Sequence, residues 1–239
     1  DIIGVTSGSS VAAVFCILVL GLSGPAVSII SVISGLLVSM LIYLLSKDIS
    51  FSGSRLILIG IGIQAMLQAA ISFLLLKASQ YDVPGAMRWL SGSLNGMTMK
   101  CIPTLFIVVM VFGIISLLFT KYLQVLELGD EFATKIHIRL NLVRIILILS
   151  AVFLIAFATS TTGPIAFVAF LAGPIASKIV GRGSSNVLAS GLVGALLVLS
   201  SDMIGQYVFS TRFPVGVITG ILGAPYMLFL LICINRRGE

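Results

Sequence analysis

Long apolar runs separated by short polar clusters organise this chain. No charged residue lies between Asp1 and Lys47, Arg55 and Lys77, Lys100 and Lys121, Arg144 and Lys178, Arg182 and Asp202, or Arg212 and Arg236. A helix crosses the hydrocarbon core with about 20 apolar residues. Four gaps fit one crossing each. The two longest fit two, folded back where Gly24-Pro25 and Gly163-Pro164 interrupt the helix. The pattern predicts eight spans, at 8–22, 26–46, 56–77, 100–120, 142–162, 164–180, 187–206 and 214–234. The first and sixth are short, and are expected to be tilted, re-entrant or buried in the bundle. The predicted fold class is all-α, a polytopic transmembrane bundle forming a single domain over residues 1–239. A β-barrel is excluded, because its strands would alternate polar and apolar residues.

Composition agrees with this pattern. Of the 239 residues, 59% are apolar and 9% charged, whereas about a quarter of an average soluble domain is charged. An ordinary soluble enzyme and a disordered chain are both excluded. The basic residues set an orientation. With the C-terminus inside, Lys47, Arg55, Lys121, Lys135, Arg139, Arg144, Lys178, Arg182, Arg236 and Arg237 are cytoplasmic, and Lys77, Arg88, Lys100 and Arg212 are outside. The net charge of +6 then reflects topology and contact with anionic lipid rather than nucleic-acid binding.

Candidate chemistry is sparse. The cysteines Cys16, Cys101 and Cys233 are far apart and lie in or beside apolar spans, as small packing residues do. Their spacing suits neither a metal site nor a disulfide framework. The chain starts with Asp1, shows no signal peptide, and is expected to begin at a processed or truncated end. The single histidine, His137, lies in the most charged loop, away from the Ser7-Gly8-Ser9-Ser10 and Ser91-Gly92-Ser93 clusters, so no serine-protease pair is visible. GxxxxGK[ST] and HExxH are absent, and no span carries paired carboxylates. No catalytic residue, cofactor or metal is expected, which leaves transport as the leading class.

Seven of the chain's charges fall between Lys121 and Arg144: these two, Glu127, Asp130, Glu131, Lys135 and Arg139. Within this segment Phe132, Ile136 and Leu140 recur every four residues, giving one apolar stripe flanked by charge. Gly129 followed by Asp130 and Glu131 marks a helix start, with acids at the positive end of its dipole. Such a helix either plugs a groove of another protein or lies on lipid headgroups. On 56–77, Gly60, Gln64, Gln68 and Ser72 form a polar stripe that either lines a wet route or bonds neighbouring helices. The loop from 78 to 99 is too long for a tight turn and carries Arg88 and Trp89, the latter a helix-end anchor. Gly191 and Gly194 suit close helix packing.

Several motifs resemble a known family in order along the chain. LGDEFATKI at 128–136, followed by Arg144, resembles the LGxxxAxxLG…R segment of the FecCD-type permeases, the membrane subunits of iron-siderophore, haem and cobalamin ABC importers. DIIGVTSGSS (1–10) is similar to the family's DxLGxSSGA element, and RWLSGSL (88–94) to its WxxGSL element. GPIAFVAFLAGPIASKIVG (163–181) resembles GxIxFVGLxxPHxxRxLxG in a Gly-Pro form. RFPVGVITGILGAPYMLFLL (212–231) matches LPVGVxTAxxGAPxFxxLL closely.

The resemblance implies a ten-helix permease of which this chain would supply helices three to ten, without the first two. It implies a second permease subunit, identical or different, two cytosolic ATP-binding subunits and an extracytoplasmic substrate-binding protein, in a bacterial cytoplasmic membrane. ATP hydrolysis would belong to the partners. The 121–144 segment would be the cytoplasmic coupling loop, with Gly129, Asp130, Glu131, Phe132, Ala133, Ile136, His137 and Arg139 meeting the ATPase. His137 stands where the family usually has Gly, and it either caps the helix or touches the ATPase. Gln64, Gln68 and Ser72 would line the route, and Arg88 and Arg212 would dock the binding protein. The family often places Arg four residues after an Asp at the end of its ninth helix. Here Asp202 is followed by Gln206, leaving Arg212 to pair with Asp202 or with the binding protein. The implied cargo is a ferric siderophore, with haem or cobalamin as the alternative. An ion-coupled transporter using Asp202 is the competing class, and it would usually place ionisable or unwound elements near the midplane.

Overall fold

The computed structural model describes residues 4–46, 53–97, 99–120, 122, 140–181, 186–209 and 211–235. Among these residues the ordered elements are all helical. They are α1 (Val5–Leu18), α2 (Pro25–Ser46), α3 (Gly53–Lys77), α4 (Val83–Leu90), a 3₁₀ turn (Met99–Cys101), α5 (Ile102–Leu118), α6 (Leu140–Thr162), α7 (Val168–Val180), α8 (Val187–Tyr207) and α9 (Val215–Asn235). Pro25–Ser46, Arg55–Lys77, Leu142–Thr162 and Val187–Tyr207 are long and apolar enough to cross a membrane. Val5–Leu18, Ile102–Leu118, Val168–Val180 and Val215–Phe229 are shorter apolar helices. Each of the eight predicted spans overlaps one of these.

The breaks have local causes. Gly21 and Gly24, at φ 62° and 70°, turn the chain between α1 and α2 in a region that side chains disfavour. Pro25 then opens α2, where its missing N–H would have no partner in any case. Pro103 does the same at the start of α5. Pro174 and Pro225 lie inside α7 and α9, a placement that membrane helices tolerate when neighbours satisfy the freed carbonyls.

By packing, the chain divides into two units. The first comprises residues 1–90 and 97–164, and α1 is its hub. This helix has 14 residues, which rise about 21 Å against a hydrocarbon core of about 30 Å. It is buried rather than spanning alone, one of the outcomes its shortness allowed. Val5 packs with Val152 and Ala156 of α6, Ala13 and Cys16 with Val27 and Trp89, and Val14 with Ile71 and Ala86. Against α2 the contact uses small residues and hydroxyls. Ser9 donates to the carbonyl of Ser31 and Ser34 to that of Gly8, each at 2.9 Å. A Cβ on Gly8 would come within 2.8 Å of Val38. In lipid, helices associate through this kind of close approach, because lipid tails are as apolar as Leu. α5 buries no residue, but its Phe112 stacks on Phe153 of α6, with centroids 4.6 Å apart and planes 4° from parallel.

The second unit comprises residues 91–96 and 165–239, with α7 packed against α8 and α9. Gly194 of α8 faces Ala172 and Val168 of α7 at ordinary contact distance, whereas Gly191 has open space beside it. Gly194 thus lies in the α7–α8 contact, where a methyl group would also fit. α7 is preceded at its N-cap by Phe167, a non-glycine residue at φ 65°. The Val168 N–H donates to the Ala166 carbonyl at 2.9 Å, closing a tight turn around it. Gly223 of α9 makes room for that strained residue: a Cβ there would lie 2.5 Å from the Phe167 Cβ.

Candidate functional site

The polar stripe of α3 lies along the margin of that helix's packed face. Leu56, Gly60 and Ile71 are buried, Gln64 is half-buried, and Gln68 and Ser72 are exposed. Four residues advance a side chain about 40° around a helix, so the row from Gly60 to Ser72 walks from the packed face toward the open one. The Ser72 hydroxyl donates to the Gln68 carbonyl at 3.0 Å and is satisfied within the helix. An exposed carboxamide has no such local partner. Hydrocarbon offers it nothing and leaves it at a cost of several kcal/mol, on the order of that for any unsatisfied polar group. The open face of α3 at Gln68 thus suits water or a polar partner.

The 78–99 loop contains a short helix, α4, that the hydrophobic pattern did not single out. Pro84 sits at its second position, where proline is tolerated. Ala86 and Leu90 turn toward α1 and α3, and Trp89 toward α1 and α2, while Pro84, Gly85, Met87 and Arg88 are exposed. The signal was the i, i+3, i+4 spacing of those three residues, too short a stretch for a span-length window to detect. Trp89 is therefore a packing anchor of α4, and Arg88 is presented on the opposite side.

The segment around Arg212 is held at several points. The Phe213 N–H donates to the Gly205 carbonyl at 3.1 Å, and a Cβ on Gly205 would lie 2.8 Å from the Phe213 carbonyl oxygen. Phe209 and Phe213 meet edge to face, with centroids 5.0 Å apart. The Gly216 N–H donates to the Gly92 carbonyl at 3.1 Å, joining the GSL element to the PVGV element. Two motifs far apart in sequence are thus tied by one backbone bond, which fixed spacing could not have revealed. Arg212 is exposed on this segment. No ion pair joins it to Asp202, whose Oδ2 instead accepts a 2.7 Å hydrogen bond from Gln206 Nε2.

The residues expected to meet an ATPase, Gly129, Asp130, Glu131, Phe132, Ala133, Ile136, His137 and Arg139, lie outside the described residues. Gln64, Gln68 and Ser72 are gathered on α3, whereas Arg88 and Arg212 belong to different units.

The sequence profile of the FecCD transport family matches residues 1–233. The chain belongs to this family. It is 35% identical to the ferric enterobactin transport system permease protein FepG of Escherichia coli, over 99% of this chain and 72% of that protein. It is 33% identical to the Fe(3+)-citrate import system permease protein YfmE of Bacillus subtilis, over 97% and 70% of the two chains. A solved structure described as an inward-facing conformation of a protein assigned to the metal-chelate type of ABC transporters superposes with a TM-score of 0.90. Its identity is 25%, over 97% of this chain and 75% of that one. A FecCD chain is a membrane-spanning transport permease, and the candidate residues accordingly sit in a carrier rather than in a reaction centre. Within this FecCD permease, Gln206 occupies the position where the resemblance led to expect Arg, and it binds Asp202 itself.

Proposed function

We propose that the chain is the membrane-spanning subunit of an ATP-driven ABC importer of ferric chelates, with siderophores as the leading cargo. The whole-length similarity to permeases of ferric enterobactin and Fe(3+)-citrate systems carries this reading. In it, the chain pairs with a second permease subunit, and two cytosolic ATP-binding subunits supply the hydrolysis. The protein sits in a bacterial cytoplasmic membrane with its C-terminus cytoplasmic, as the ten-to-four division of basic residues favours.

The 121–144 segment is the coupling loop of a single permease domain. Phe132 and Ile136 enter the ATPase cleft, Ala133 permits close approach, and Gly129, Asp130 and Glu131 start the helix. His137 and Arg139 lie on its charged flank. An extracytoplasmic binding protein delivers the chelate and docks through acidic groups on Arg88 and Arg212, both exposed. Gln64, Gln68 and Ser72 border the passage. A large hydrophilic chelate needs a wet route rather than a tight pocket, and the open amide face of α3 offers polar contacts along one.

The deciding experiment is uptake of labelled ferric siderophore, haem or cobalamin into proteoliposomes carrying the assembled transporter and its binding protein. Uptake of a ferric siderophore that requires internal ATP and survives a protonophore supports the reading. Uptake driven by a proton gradient without the ATP-binding subunits overturns it, and uptake of haem or cobalamin alone reassigns the cargo.

A further inference from the structure

Among the described residues, Phe167 alone of the non-glycine residues has a positive φ, at 65°. Its own side chain does not favour that conformation. Aromatic residues prefer extended backbone, and left-handed geometry brings Cβ too close to the following carbonyl oxygen. The surrounding structure must impose it. Two features do. The Val168 N–H donates to the Ala166 carbonyl at 2.9 Å and the Leu171 N–H to the Phe167 carbonyl at 3.1 Å, so the residue sits between a tight turn and the first bond of α7. Gly223 of α9, itself buried, receives it from the other side. A Cβ on that glycine would lie 2.5 Å from the Phe167 Cβ and 3.0 Å from its Cγ.

We propose that this pair is a conformational latch between α7 and α9. Phe167 is seated on Gly223 while its backbone is left-handed, and it leaves that seat when φ returns to the negative side. The two events are coupled by geometry. A change of φ swings the Phe167 Cβ and the start of α7 together relative to the preceding turn, which opens the Val168–Ala166 bond and lifts the side chain from the glycine. Conversely, withdrawal of α9 removes the contact that holds a disfavoured backbone. Because the left-handed region is separated from the others by forbidden geometry, the pair has two discrete states rather than a continuum.

Both helices can bend beside the contact. Pro174 lacks the N–H that would bond the Phe170 carbonyl, and Pro225 the one that would bond the Ile221 carbonyl. Helices bend at such positions. The piece of α7 from 168 to 173 thus lies between a strained joint and a proline joint, and Pro225 lies two residues beyond Gly223. All these residues belong to the second unit, so the latch acts within it. For its driving step the inference rests on the ABC reading: nucleotide held by the partner subunits drives the helices between two arrangements, and the seated Phe167 marks one of them.

The test places 4-fluorophenylalanine at position 167 of the assembled transporter in nanodiscs and records fluorine NMR. The expected result is one dominant resonance without nucleotide, and transfer of intensity to a second position when the complex is trapped with ATP and vanadate. Gly223→Ala populates that second position without nucleotide and raises its ratio to the first about tenfold, since overpacking weighs on the seated state alone. Gly220→Ala, which meets open space on the same helix, leaves the ratio as in the parent. A single resonance that neither trapping nor Gly223→Ala redistributes would overturn the latch, and so would equal effects of Gly220→Ala and Gly223→Ala. The trapping arm uses the parent sequence, so it decides the matter even where Gly223→Ala folds poorly. The two readings also separate: ATP-dependent uptake beside a fixed resonance removes the latch alone, whereas redistribution by Gly223→Ala without ATP-dependent uptake keeps the latch and removes its ABC drive.

Discussion

The carboxamide of Gln206 donates a 2.7 Å hydrogen bond to the Asp202 carboxylate one turn earlier on α8. This bond occupies the acid that would otherwise be the nearest candidate partner for Arg212 in the sequence. It also shows how a position that departs from the family's Asp-to-Arg spacing keeps the acid bound: a neutral donor at i+4 reaches the same carboxylate. Asp202 is thereby engaged within its own helix, an arrangement that suits a structural acid better than a proton carrier.

Gln206→Ala should therefore destabilise the permease by about 1 kcal/mol, less than the roughly 1.5–3 kcal/mol of a hydrogen bond to a charged group because both residues are partly exposed. Gln206→Arg should restore the loss, since it replaces the amide with an ionic donor. Thermal unfolding in detergent reads both. A Gln206→Ala protein as stable as the parent would show that the bond contributes nothing.

At Phe167 and Gly223 the prediction is steric. Gly223→Ala places a Cβ 2.5 Å from the Phe167 Cβ, an atom fixed to a backbone already at positive φ. Overpacking of this kind costs about 1–3 kcal/mol. Gly220→Ala on the same helix meets open space and should be neutral or gain about 0.4–1 kcal/mol. A lowered melting temperature for Gly223→Ala beside an unchanged or raised one for Gly220→Ala is the expected result, and equal shifts would count against the contact.

Eight apolar helices, four of them long enough to cross a membrane, were legible because charge exclusion is one-dimensional: a lipid-facing helix must run about 20 residues without a charge. The boundaries at Pro25 and Gly163 followed from breakers with a single local effect. What escaped was encoded across distance or in short stretches. α4 has too few residues for a span-length window, yet its Ala86, Trp89 and Leu90 complete clusters centred on α1. The left-handed turn at Phe167 is favoured by nothing in its own side chain, and it depends on a glycine far along the chain. The joining of Gly92 to Gly216 uses backbone atoms alone. Of the candidate site, the α3 stripe was legible as a period of four, but its position at the margin of the packed face required the neighbours of α3.

For that stripe, Gln68→Leu separates two roles. If Gln68 borders the passage, as proposed, uptake falls about tenfold while the protein folds normally, a barrier change of about 1.4 kcal/mol. If Gln68 faces lipid, removing an unsatisfied amide stabilises the protein and leaves uptake unchanged. Measuring uptake and melting temperature on the same preparation distinguishes these outcomes.

The proposed coupling loop is tested at its smallest residue. Ala133→Asp introduces a charge where close approach to an apolar cleft is proposed, and burying an unpaired charge there is strongly unfavourable. The permease should insert and fold as before but fail to retain the ATP-binding subunits on co-purification. Unimpaired co-purification with unimpaired transport would remove the coupling role from 129–139.

Docking through Arg212 is predicted to depend on salt. Arg212 is exposed on a segment fixed by the Phe213–Gly205 and Gly216–Gly92 backbone bonds, so little ordering of the segment is needed on binding. Arg212→Glu reverses the charge without disturbing either bond. Affinity for the binding protein at low ionic strength should fall about five- to tenfold, chiefly through a slower association rate. At 1 M salt, where the screening length is about 3 Å, mutant and parent should converge. A low-salt affinity unaffected by the reversal would leave Arg212 as an interfacial anchor of α9, and a loss that persists at high salt would point to a disturbed loop rather than to charge.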